Sequence, residues 1–145
     1  MRRALSLSIL LLTAACAGSP ATAPYQDQEA KRFDPPPPGQ GALYIYRKEL
    51  WNVARPIDVG IVGGATARIG VNDYLRIEGP PGPLDVQCKL GDKTGGMQVN
   101  IDPGRTSYVE VSTKVGMWMP GCEIAEVPPP QGQAAVRASR RIEFQ

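Results

Sequence analysis

From residue 41 onward, apolar and polar positions alternate with a period of two, the pattern of strands with one face buried. Ala42-Leu43-Tyr44-Ile45-Tyr46-Arg47 is rich in strand formers. Ile57, Val59 and Ile61 alternate with Asp58 and Gly60, and Ala65–Gly70 reads as a short strand. Tyr74-Leu75-Arg76-Ile77-Glu78 alternates cleanly, and Leu84, Val86 and Cys88 share one face. Met97, Val99 and Ile101 point inward, followed by Ser107–Ser112 and Cys122–Val127. Turn signals separate these runs: Gly63-Gly64, Gly79-Pro80-Pro81-Gly82-Pro83, Gly91-Asp92-Lys93 and Asp102-Pro103-Gly104-Arg105. The pattern predicts an all-β domain over residues 41–128, a single antiparallel β-sandwich of seven or eight short strands, with a small barrel as second choice. Residues 129–145 read as a proline-rich turn and one short helix, Gln133 to Arg141.

The chain opens differently. Arg2 and Arg3 precede a short apolar run, Ala4 to Leu12, and then the small residues Thr13-Ala14-Ala15 before Cys16. This is the three-part layout of an export signal over residues 1–15. The apolar run is far shorter than the ~20 residues a membrane-spanning helix needs. With cysteine directly after the small residues, the segment resembles a bacterial lipoprotein signal, except that Thr13 stands where leucine is usual. The resemblance implies cleavage before Cys16, lipid on its thiol, and, with Ala17 rather than aspartate following, residence in the outer membrane on its periplasmic face. Residues 16–40 contain Pro20, Pro24 and the run Pro35-Pro36-Pro37-Pro38-Gly39. They are expected to form a flexible, proline-rich tether, with one or two helical turns between Tyr25 and Phe33.

Three stretches of the body carry a further likeness: Gly41-Ala42-Leu43-Tyr44-Ile45-Tyr46-Arg47, Leu75-Arg76-Ile77-Glu78-Gly79-Pro80-Pro81-Gly82 and Ile101-Asp102-Pro103-Gly104-Arg105-Thr106-Ser107-Tyr108-Val109. Through them the body resembles the small bacterial lipoproteins that carry the domain of unknown function 2846. That likeness implies a sandwich of the transthyretin-like or carboxypeptidase-regulatory-like kind, a type of module that usually binds or supports. It brings no catalytic residues, and none are carried over.

Charge narrows the function classes. The chain has 16 Lys and Arg against 14 Asp and Glu. Without Arg2 and Arg3 the balance is even, so no basic block remains to suit nucleic acid. There is no histidine, which removes the usual general base and the commonest metal ligand. Gly60-Ile61-Val62-Gly63-Gly64 lacks the Lys-Ser/Thr of a phosphate loop. Asp58, Asp73, Asp85, Asp92 and Asp102 fall on strands or in turns, where carboxylates cap the chain or face water. Neither an enzyme nor a cofactor or metal is indicated.

With Cys16 set aside for lipid, Cys88 and Cys122 are either a disulfide or two separate buried thiols, and an oxidising compartment favours the bond. Apolar residues in loops are the remaining signal: Trp51, and Met117-Trp118-Met119. They either fold back over the open end of the core or form a contact site for an envelope protein partner. Arg137, Arg140 and Arg141 on the expected helix would form a solvated face or meet anionic lipid heads. The leading reading is an outer-membrane-anchored, non-catalytic binding or structural module, touching the membrane through its lipid. The alternative is a small-ligand or glycan-binding lipoprotein, which needs those tryptophans beside one pocket.

Overall fold

In a computed structural model, which describes residues 18–49 and 55–145, the alternating segments form nine strands and two helices. They are α1 (Pro24–Ala30), β1 (Gly41–Arg47), β2 (Ile57–Ile61), β3 (Thr66–Ile69), β4 (Asp73–Gly79), β5 (Gly82–Leu90), β6 (Lys93–Ile101), β7 (Thr106–Lys114), β8 (Gly121–Glu126), α2 (Pro129–Arg137) and β9 (Arg140–Arg141). Two sheets face each other, ordered β8-β7-β1-β4-β9 and β3-β2-β5-β6. The all-β sandwich is therefore observed, with one difference in pairing. β1 pairs with β7, and β4 with β9, in parallel; the other ladders are antiparallel.

The period-two pattern sets the core. Leu43, Ile45, Leu75, Val109 and Val111 of the first sheet meet Ile57, Val59, Val86, Val99 and Ile101 of the second, all buried. Gly91 has a φ of 60°, the positive angle a two-residue β5–β6 turn needs, and Leu90 faces Lys93 across it. Cys88 on β5 and Cys122 on β8 are disulfide-bonded with their Cα atoms 6.2 Å apart. This bond ties the two sheets together along the side where β6 and β8 meet.

The first sheet is buried on both faces, which the alternation of β1 conceals. All seven residues of β1 are buried. Its outer face presents Tyr44 and Tyr46 beside Tyr74 of β4 and Tyr108 of β7, so four of the five tyrosines in the chain lie there. Ala30 of α1, Phe33, and Ala135 and Val136 of α2 cover them. Tyr44 and Tyr108 stack at 5.2 Å between centroids, and Phe33 lies 5.7 Å from Tyr44. Phe33 takes a φ of 57°, costly for a bulky side chain, and the turn it makes lays its ring on this face. Gly132 of α2 crosses directly over Tyr108, where a Cβ would overlap the ring.

Residues 16–40 are expected to form a flexible tether; of these, the described residues, Gly18 onward, are docked. Ser19 is buried; its amide donates to the Arg68 carbonyl (3.2 Å) and its hydroxyl accepts from the Arg68 amide (2.8 Å). Ala21 bridges Ile142, α1 lies on the tyrosines, and Pro36 is buried. The reason is the uncovered aromatic face: burying it outweighs the freedom of a polar, proline-rich segment.

The C-terminal helix also differs from expectation. It begins at Pro129 rather than Gln133, since proline suits a first turn whose amides have no helical partner. It ends at Arg137, after which the Ser139 hydroxyl donates to the Ala135 carbonyl (2.8 Å) and the chain turns into β9. Arg140 and Arg141 thus belong to a strand. Each of the three arginines has a partner within the body. Arg140 donates to Asp73 (2.6 Å), Arg141 donates to the Gln26 carbonyl (3.3 Å), and Arg137 lies 4.9 Å over the Phe33 ring.

Candidate functional site

The exposed apolar residues of the described chain concentrate in one turn. β7 ends and β8 begins at the pair Lys114–Gly121, leaving residues 115–120 as a loop. Val115 is 78% exposed, Met117 91%, Trp118 91% and Met119 46%. Gly116 lets the loop close on itself, since a Cβ there would collide with the Met119 carbonyl oxygen. At that exposure the Trp118 ring does not cover the core. Trp51, the other loop aromatic, lies outside the described residues.

What closes this end of the sandwich is polar. Leu43, Ile45 and Arg47 point the same way along β1, so Arg47 takes an inward position at the strand's end and is fully buried. Its Nε meets the Glu49 carboxylate (2.8 Å), and its Nη1 donates to the Arg55 carbonyl (2.7 Å). The same Glu49 oxygen accepts from the Thr113 hydroxyl (2.8 Å) and amide (3.1 Å). This links the end of β1 to the base of the Met117-Trp118-Met119 loop. Sequence reasoning missed Arg47, although its inward register was there to be read.

The carboxylates do not converge. Asp58 pairs with Arg68 (3.4 Å), and Asp85 accepts from Gln98 (3.0 Å). Asp102 lies near Arg105 (3.7 Å), and Asp73, buried, accepts from the Gly70 amide (2.9 Å) as well as Arg140. Among the described residues no three His, Cys, Asp or Glu come together as metal ligands would.

Two surface cavities stand out among the described residues. One, of about 620 Å³, lies over Gly60 on the outer face of the second sheet, walled by Asp58, Thr66, Arg68, Gln87 and Lys89. The other, of about 350 Å³, is polar, with Gln98, Asn100, Asp102, Arg105 and Glu126 among its walls. Neither is lined by Trp118 or its neighbouring methionines.

Burial pushes the Tyr44 and Tyr46 phenols up to about 12, and raises Tyr74 and Tyr108 as well. Tyr44 donates to the Ala30 carbonyl (2.6 Å) and Tyr74 to Asp27 (2.9 Å). Burial alone would raise Asp27, but hydrogen bonds from Lys31, Tyr74 and the Arg141 amide outweigh it and hold the carboxyl below its ordinary value.

A search of family models finds no match for the chain, so none stands behind the resemblance to the domain of unknown function 2846. No solved structure matches it. A curated protein of Haemophilus influenzae, described as an uncharacterized protein, is 22% identical over 134 residues, which cover 92% of this chain and 80% of its own.

Proposed function

We propose that this chain is a lipoprotein of the bacterial envelope, acylated at Cys16. It is held on the periplasmic face of the outer membrane and works there as a non-catalytic binding or structural module. The observation that carries the reading is the Cys88–Cys122 disulfide. Such bonds persist in oxidising compartments, which agrees with the export signal over residues 1–15. The absence of histidine and the dispersal of the described carboxylates into separate pairs and turns support a binding role over catalysis. The contact surface in this reading is Met117-Trp118-Met119. The reading as a small-ligand or glycan binder draws no support from Trp118, which stands apart from both cavities.

The test is metabolic labelling with radioactive palmitate. Label should enter the wild-type protein and be lost in Cys16→Ser. Equal label in both, or none in either, overturns the acylation. Density fractionation should place the wild type with outer membranes and Ala17→Asp with inner membranes; no shift would remove the sorting argument.

A further inference from the structure

Three peptide steps separate Cys16 from Ser19, and Ser19 is fixed to β3 through both its amide and its hydroxyl. An extended chain spans at most about 3.3–3.6 Å per residue, so the Cys16 Cα lies within about 11 Å of Ser19. A lipid at Cys16 therefore leaves almost no stand-off between the folded body and the bilayer. A body of this size has a radius of gyration of about 14 Å. Rotation about that short attachment is enough to bring a protruding loop to the membrane surface.

The β7–β8 loop has the chemistry for that surface. Val115, Met117, Trp118 and Met119 are exposed and adjacent, and no charge lies between Lys114 and Glu123. We propose that the Val115–Met119 loop is a second membrane contact, inserting into the interfacial layer of the bilayer that holds the Cys16 lipid. The inference rests on acylation at Cys16.

Three features favour the bilayer over a protein surface as occupant. The apolar residues sit exposed at a turn between two strands, where a bilayer can receive them without a matching pocket. Trp is the side chain most at home at the headgroup level, with an apolar ring and one N–H donor. Lys114, exposed at the base of the loop, has the reach to place its ammonium among phosphates while its methylenes stay beside apolar groups. Depth is limited by the backbone, because loop amides and carbonyls need water or headgroup partners and cannot enter the hydrocarbon core. The attachment at Cys16 keeps the loop at high local concentration near the surface, so weak insertion is enough to fix the orientation of the body.

The test uses full-length, lipidated protein in vesicles of phosphatidylethanolamine and phosphatidylglycerol with brominated acyl chains. The chain has two tryptophans, and Trp51→Phe leaves Trp118 as the only one. Its emission should move to shorter wavelength on vesicle binding. Bromine near the carboxyl end of the acyl chain should quench it strongly, and bromine near the methyl end weakly. Should Trp51→Phe fold poorly, the difference in quenching between wild type and Trp118→Ala gives the same quantity. Trp118→Ala should leave the melting temperature of the vesicle-free protein unchanged. Protein that floats with the vesicles but shows no quenching of Trp118 overturns the loop contact and leaves the anchor standing. So does a crosslinker at position 118 that captures an envelope protein while lipid quenching is absent. Wild-type protein that does not float at all defeats the acylation reading, and the loop contact with it.

Discussion

Arg47 shows what a single inward position can cost and supply. A guanidinium with no exposed surface survives in the core because it is paired there: Glu49, the Arg55 and Ile69 carbonyls and the Thr113 hydroxyl all lie within hydrogen-bond reach. Replacing it with alanine strands the Glu49 carboxylate, which is largely buried beside Thr113. Breaking one partner of such a pair typically costs about 3–5 kcal/mol. Urea unfolding of Arg47→Ala should show a loss of that order. Arg47→Met with Glu49→Leu should be milder than the two single changes added together, because no charge is then left alone. A loss below about 0.5 kcal/mol for Arg47→Ala, the range of an ordinary surface substitution, would mean the pair does not hold this end closed.

At the scale of elements, the outer face of the first sheet is the unit to test. Burial raises four phenols there, Tyr44 and Tyr46 to about 12 from an ordinary value of 10. Below about pH 9 these tyrosines are neutral whether the chain is folded or not, and their stabilisation is complete. Above it the unfolded chain releases phenolic protons first, so stability falls as pH rises through the folded values. Thermal melts should change little from neutral pH to about 9 and then drop steeply toward 12, with tyrosinate absorbance rising together with unfolding. Smooth titration of these tyrosines in a chain that stays folded would show that α1 and α2 do not seal the face. The same elements show where sequence reading succeeds. Strands such as β5 and β6 are legible because their side chains alternate on a pleat with a single core. Residues 18–40 were misread because proline and polar content describes only the segment itself. What orders it is the row of tyrosines on β1, β4 and β7, far away in sequence. The row could have been suspected from Tyr44 and Tyr46, large aromatics on the face opposite Leu43 and Ile45. The Val115–Met119 loop is legible as apolar residues in a turn, but the exposure of Trp118 is not, because the alternation of the flanking strands says nothing about the direction of a loop side chain.

For the whole molecule, the two sheets are joined by the Cys88–Cys122 bond on the side where β6 meets β8. The cross-link closes a segment with a sequence separation of 34, for which chain entropy gives about 3–4 kcal/mol. Replacing both cysteines with alanine should lower unfolding free energy by that order, with far-ultraviolet dichroism unchanged at low temperature. An unaltered midpoint would indicate that β6 and β8 hold together without the bond. The opposite side is closed by the two ends of the described chain. Ser19 bonds to Arg68, and the Gln145 amide donates to the Thr66 carbonyl (2.7 Å), both on β3. With lipid on Cys16, as proposed, a fluorophore or fusion partner attached after Gln145 would sit beside the anchor. In assays built on such a tag, accessibility would report on crowding at the bilayer rather than on the far end of the sandwich. A tag meant to leave the membrane surface undisturbed belongs in a turn at the opposite end from the Trp118 loop, for instance at Gly79–Gly82.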